Sequence, residues 1–284
     1  MGGGAAGVAD PAAGVRPGHV MRSRWPVVLL AVVTLVALAP FVVMVVVALS
    51  PPGAPTLPHA LPSSLTLRNF AAVLAAEDFA RWTANTLGYA AVSVVAVLLS
   101  ASMAAYVFAR KRFPGRDVLL WTIVSTLMVP FHAVVVPLLL LVAALGWVDT
   151  YWGLVVPTLA NAQAVLLLRQ FIRALPGEVF DAVRVDGAGD WRTYWHVVLP
   201  LCRPVLATLG VFVFLWHWND FLWPLVVTNS TTMRTLTLGL STMDSGKLSV
   251  AELMSVATVT ALPCLLVFWL LQRHLVSAIT GQGR

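Results

Sequence analysis

Apolar residues in this chain come in long unbroken runs, and six of those runs reach the roughly 20 residues needed to cross a bilayer. They lie at about Trp25–Leu49, Thr86–Ala109, Val118–Leu145, Trp152–Ile172, Val205–Val227 and Leu253–Leu271. The pattern predicts an all-α polytopic membrane protein with about six transmembrane helices. An even number of spans puts both termini on one side. The expected parts are a disordered cytoplasmic tail over 1–24, a first transmembrane helix over 25–49 and an extracytoplasmic loop over 50–85. A five-helix core over 86–272 includes a long loop at 173–203, and a cytoplasmic tail follows over 273–284.

Breaks in the apolar pattern add detail. Arg16, Arg22 and Arg24 followed by Ala37-Leu38-Ala39 resemble a cleaved leader, but Pro40 fits poorly after a cleavage site and the run continues to Leu49, so it reads as a span. Pro51, Pro52, Pro55, Pro58 and Pro62 break up the loop that follows, after which Leu67–Ala76 is expected as a short helix on the membrane. Pro130 and Pro137 interrupt the third run. Such breaks are tolerated in a membrane where neighbouring helices or a water-lined cavity satisfy the freed backbone groups.

Composition agrees with lipid as the main solvent. Of the 284 residues, 59% are hydrophobic and only 11% charged, with a mean hydropathy of +0.87. The net charge of +6 reflects orientation more than a nucleic-acid partner, because fourteen of the 18 basic residues fall on the side that holds the termini. Only Arg68, Arg81, Arg234 and Lys247 lie on the other. This bias predicts that both ends are cytoplasmic. The basic turn Arg110-Lys111-Arg112-Phe113-Pro114-Gly115-Arg116 is expected to serve mainly as a topology anchor. Cys202 and Cys264 have neither metal-ligand spacing nor an oxidising surrounding and are expected to pack.

The loop 173–203 holds four of the twelve acidic residues, Glu178, Asp181, Asp186 and Asp190. Pro176 suits a helix start, and Val179, Ala182, Val183 and Asp186 then recur at i, i+3, i+4 and i+7. Gly187 can stop that helix, and Asp190 can cap a second one carrying Trp191, Tyr194, Trp195 and Val198 on one side. Two readings stay open from these residues alone: a compact protrusion that docks on another protein, or an amphipathic hairpin anchored on lipid by its tryptophans.

The run Leu175-Pro-Gly-Glu-Val-Phe-Asp-Ala-Val-Arg-Val-Asp-Gly-Ala-Gly-Asp-Trp-Arg, continuing to Val198-Leu-Pro-Leu-Cys-Arg-Pro, resembles the signature loop of binding-protein-dependent ABC importer permeases. Asp181-Ala182-Val183 stands where that family has Glu-Ala-Ala, Gly187 at its glycine and Leu199-Pro200 at its closing pair. Asp181 and Val183 depart from the usual residues. Further likeness lies in Ala104-Ala-Tyr before the basic turn, Leu127-Met-Val-Pro, Trp218-Asn-Asp-Phe-Leu-Trp-Pro and the ending Leu271-Gln-Arg. Together these resemble the carbohydrate branch, specifically the maltose-type second, smaller permease.

The resemblance implies a transport subunit and no enzyme. It also implies three partners: a second, different permease, a cytoplasmic ATPase dimer and an extracytoplasmic solute-binding protein. The chain has no Gly-x-x-x-x-Gly-Lys-Ser/Thr phosphate cradle, so no cofactor is expected in it, with ATP and Mg bound by the partner ATPase. Phe180, Asp181, Ala182, Asp186, Gly187 and Ala188 would form the ATPase-coupling loop.

Trp216, Asn219, Asp220 and Trp223 recur at i, i+3, i+4 and i+7 and are expected on one face of the fifth span, where indoles and polar groups suit a sugar. The rival role for Asp220 is a pairing with His217 or with a neighbouring subunit that fixes helix packing. Within the polar loop Thr228–Glu252, the resemblance implies that Asn229, Ser230, Thr231 and Thr232 reach a binding protein, an ordinary solvated loop being the other reading. A channel or an ion- or proton-coupled carrier is the alternative. Against it stand the structured loop 173–203 and the lack of a charge relay or an evident internal repeat. Neither His-Glu-x-x-His nor Gly-x-Ser-x-Gly occurs.

Overall fold

The computed structural model describes residues 25–51, 64–76, 78–243 and 249–280, with side chains to 270. The expected tail over 1–24, most of the proline-rich loop, Lys247 and the last four residues lie outside these. Residues up to Val43 cluster as one unit and those from Met44 onward as another.

The described residues are helical, without strands. Helix α1 (Trp25–Ala48) is apolar all round and exposes nearly every side chain up to Val43, a composition stable only in lipid. Its C-terminal carbonyls would be orphans in an apolar medium. Asn69 on α2 (Arg68–Leu74) supplies donors, with Nδ2 2.8 Å from both the Ala48 and Ser50 carbonyls. The expected short helix is α2, which buries Asn69 and Val73 on one face and leaves Arg68, Ala71, Ala72 and Leu74 exposed on the other.

Helix α3 (Phe79–Arg110) is the centre of the second unit. It starts seven residues before the expected Thr86, inside what the sequence assigned to the outer loop. Ala101, Ser102 and Ala105 are small enough to let helices approach closely, and they pack with Ala164, Leu168 and Ile172 and with Leu209 and Val213. The Ser102 and Tyr194 hydroxyls share a hydrogen bond of 2.7 Å inside this core. Cys202 is buried in the same cluster and Cys264 half-buried beside another, as expected of packing residues.

The remaining spans are broken. Helices α4 (Arg116–Thr126) and α5 (Phe131–Ala144) bend by 105°. Pro130 makes that break, whereas Pro137 is absorbed inside α5. Helix α6 (Tyr151–Val155) and the 3-10 turn Val156–Thr158 meet α7 (Ala162–Ala174) at 44°. Next come α8 (Gly177–Val185) and α9 (Asp190–Thr193), then a π-helical turn at Tyr194–Val198 and α10 (Leu199–Leu201). The run Asp190–Leu201 turns by 75° into α11 (Arg203–Trp218). Among the described residues, three single helices, or up to six spans if each bent pair counts as one, are long and apolar enough to cross a membrane.

Within the expected polar loop Thr228–Glu252, the described residues up to Met243 are folded. After α12 (Leu222–Val227) comes a 3-10 turn at Thr231–Met233 and then α13 (Leu236–Thr242), with Met233, Leu236, Leu238 and Leu240 buried. Gly239 is required there, since a Cβ at that position would meet the Trp82 indole. Helix α14 (Val250–Thr280) extends past the expected boundary at 272, so much of the supposed C-terminal tail is helix.

Candidate functional site

The loop 173–203 forms the first candidate surface. Pro176 stands just before α8 as its N-cap, and Gly187 has φ +70° after the helix, a left-handed turn that glycine adopts without strain. Asp181, Ala182, Asp186 and Gly187 are exposed, and Ala188 is half-buried. A Cβ added at Gly187 would meet nothing within 4 Å, so the turn faces open space. Asp181 and Arg184 form only an exposed ion pair of 3.5 Å.

Phe180 differs from its neighbours, because it folds back on the core beneath α8. The Arg110 guanidinium lies 4.0 Å over its ring. Arg110 Nη2 also donates to the Ile172 and Leu175 carbonyls at 2.7 and 2.6 Å, closing the open end of α7. Lys111 pairs with Asp190. Thus Asp190 is not the expected cap: Gly189 stands at that position, and the carboxylate is engaged elsewhere. Two residues of the basic turn clamp the protruding loop to the end of α3, a role beyond that of a topology anchor.

Beyond the loop, Tyr194 and Val198 are buried, while Trp191 and Trp195 are exposed and pack against the Tyr194 ring at 5.8 and 5.3 Å. The π-helical turn carries Tyr194 to Ser102 on α3.

The second candidate site is the break after α11. The four residues expected on one helical face do not share one, because the helix ends at Trp218 and restarts at Leu222. Asp220, in the break, accepts from the Tyr89 hydroxyl at 2.9 Å and from the Trp223 N–H at 3.4 Å. Trp223 is fully buried, its indole N–H donating to the Gly153 and Leu154 carbonyls at the end of α6 at 3.1 and 3.2 Å. Trp216 is 69% exposed and Asn219 is exposed, its amide turned back to the Leu215 carbonyl. His217 packs edge-on against Tyr89 and bonds to the Val213 carbonyl and the Thr158 hydroxyl, with no bond to Asp220. The result is a polar knot of buried Tyr89 and His217 with half-buried Asp220 and Thr158, beside two exposed side chains.

The third site is the other end of α3. The Asn229 and Ser230 N–H groups and the Ser230 hydroxyl all donate to one Asp149 oxygen at 2.9 to 3.0 Å. Asp149 itself has φ 59°, a conformation that Asp tolerates better than most residues. Partial desolvation pushes its pKa up, but the three hydrogen bonds outweigh this and hold it below the ordinary carboxylate value. Trp82 donates to the Thr231 carbonyl at 2.8 Å, and Arg81 and Asn85 donate to that of Thr232 at 3.0 and 2.8 Å. The backbone is fixed while the side chains of Asn229, Thr231 and Thr232 stay exposed. Nothing in the sequence pattern singled out Asp149, Tyr89 or the clamping role of Arg110.

A helical membrane subunit with a protruding loop clamped beneath its central helix defines a class, and comparison with known proteins narrows it. Residues 96–281 match the family described as binding-protein-dependent transport system inner membrane component. The chain belongs to that family and is a membrane permease subunit of an ABC transport system.

It is 36% identical over 185 residues to the sn-glycerol-3-phosphate transport system permease protein UgpE of Yersinia enterocolitica, covering 64% of this chain and 66% of that protein. It is 34% identical over 224 residues to the arabinooligosaccharides transport system permease protein AraQ of Halalkalibacterium halodurans, covering 78% and 80%. The lactose transport system permease protein LacG of Rhizobium radiobacter is 34% identical, covering 75% and 78%. The fold is that of a chain in the crystal structure of a bacterial ABC transporter involved in the import of the acidic polysaccharide alginate. That match has a TM-score of 0.79 at 24% identity and covers 88% of this chain and 94% of the other.

Proposed function

We propose that this chain forms half of the translocation pathway of an ATP-driven importer for a carbohydrate or related polyol. The observation that carries the reading is the α8–Gly187 protrusion, exposed on its outer face and clamped on its inner face by Arg110 and Lys111. A rigid element of this kind can transmit a push from a docked protein to α3 and α7. The partners are a cytoplasmic ATPase dimer that binds ATP and Mg, a second, different permease and an extracytoplasmic solute-binding protein. Both termini and the protrusion lie in the cytoplasm, which the bias of basic residues supports.

The relatives are named for glycerol 3-phosphate, arabinooligosaccharides and lactose, whose shared chemistry is a set of hydroxyl groups on a carbon skeleton. Trp216 and Asn219 are the side chains of the α11 break best exposed to meet such a solute, with Asp220 held behind them. Asn229, Ser230, Thr231 and Thr232 are presented from a fixed backbone, as contact with a solute-binding protein requires.

The test is co-purification in detergent of the native chain and a Gly187→Trp variant with the cognate ATPase. The open space at Gly187 lets the indole point outward, at a backbone cost of about 1–2 kcal/mol for the left-handed turn. The native chain is expected to retain the ATPase and the variant to lose it. Equal retention would remove the protrusion from the docking surface, and retention by neither would favour a channel or carrier.

A further inference from the structure

The basic turn, the first residues of α4 and the end of α7 together line an open cavity of about 790 Å³ beside the clamped loop. Six cationic side chains line it, Arg110, Lys111, Arg112, Arg116, Arg169 and Arg173, against one carboxylate, Asp117. Arg116 pairs with Asp117, and Lys111 pairs with Asp190. Arg110 is bound to backbone carbonyls, yet its Nε is buried without a partner. Arg112 and Arg173 are exposed and have no hydrogen-bond or ion-pair partner among the described residues. Self-repulsion of this many cations is relieved by an anion with several acceptor oxygens.

The surface beside the cavity decides what kind of anion. Val118 lines the cavity and is 73% exposed, and Trp121, three residues on along the same face of α4, is 70% exposed. An apolar helix face thus runs from the basic cavity into the membrane-spanning part of the chain. A free phosphate would leave that face unused, whereas a phospholipid would use both parts.

We propose that this cavity is an anionic phospholipid site, in which Arg112, Arg169 and Arg173 hold the headgroup phosphate and the Val118–Trp121 face of α4 carries an acyl chain. Basic pockets between membrane helices suit such headgroups, with each basic residue near the surface changing the affinity roughly fivefold. Because Arg110 and Lys111 also clamp the coupling loop, a bound headgroup stiffens the junction through which the protrusion meets α3.

The test is native mass spectrometry of the detergent-purified full chain titrated with dioleoylphosphatidylglycerol or dioleoylphosphatidylcholine. The native chain is expected to bind the anionic lipid preferentially. Arg112→Gln with Arg173→Gln is expected to weaken that lipid about thirtyfold, and Arg112→Lys with Arg173→Lys to restore most of it. Both positions are exposed, so folding is unaffected. Equal binding of the two lipids, or an unchanged preference in the glutamine variant, would overturn the proposal. Displacement of the lipid by millimolar inorganic phosphate would reassign the cavity to a free anion. Loss of the ATPase by the glutamine variant, with its lipid count unchanged, would reassign it to a protein partner.

Discussion

Removing the Arg110 guanidinium is the sharpest way to separate the protrusion from its scaffold. The group makes two short charge-assisted hydrogen bonds to the Ile172 and Leu175 carbonyls and covers the Phe180 ring. Charge-assisted bonds are worth about 1.5–3 kcal/mol each and a cation–π contact about 0.5–2 kcal/mol. Arg110 is half-buried, so water recovers part of this on deletion. A local loss of about 3 kcal/mol is therefore expected for Arg110→Ala, which corresponds to about a hundredfold change in a local opening equilibrium. The assay is amide hydrogen exchange of the assembled complex. Amides of 177–189 should exchange about a hundredfold faster, while those in the middle of α3 stay protected. ATP hydrolysis should continue with reduced solute uptake, because a loosened lever moves without dragging α3. Unchanged exchange in 177–189, or full uptake alongside fast exchange, would refute the clamp.

Other substitutions probe the remaining sites. Trp223→Phe strands the Gly153 and Leu154 carbonyls and should cost about 1–3 kcal/mol, seen as a lower thermal midpoint in detergent; an unchanged midpoint would show that this indole is not holding α6 to α12. Gly239→Ala drives a Cβ into the Trp82 ring and should destabilise by about 1–3 kcal/mol, measured in the same way. Asp220→Asn keeps an acceptor for the Tyr89 hydroxyl, so the complex should assemble while uptake falls; normal uptake would remove the negative charge from the transport step. Asp149 has a folded-state pKa below its unfolded one, so its contribution is fully present above the ordinary value of about 4 and is lost only as pH falls through the lower folded value. Asp149→Asn should loosen the 229–232 segment at neutral pH, read as faster proteolysis there.

Much of the architecture was legible because lipid imposes a long apolar run on every span. What periodicity could not reveal was where a run breaks. The Trp216–Trp223 pattern looked like one helical face, yet the peptide units of Asn219–Phe221 leave the helix, with Asp220 engaging Tyr89, 131 positions earlier. Trp223 looked like a sugar platform and is a buried strut. The glycine turn of the protrusion was readable, since Gly187 adopts the positive φ that such a stop demands. Arg110 and Lys111 were readable only as charges: their partners lie 62 to 79 positions away, and no local pattern records such contacts.

The central claim is that the α8–Gly187 protrusion docks on an ATPase, and cysteine cross-linking in native membranes tests it most directly. Ala182→Cys places a thiol on the exposed face of α8, while Asn229→Cys places one at the opposite end of α3. Cross-linking of Ala182→Cys to the ATPase, varying with nucleotide and absent for Asn229→Cys, is the predicted result. Failure of Ala182→Cys to cross-link under any nucleotide condition, with the ATPase still bound to the membrane complex, would contradict it.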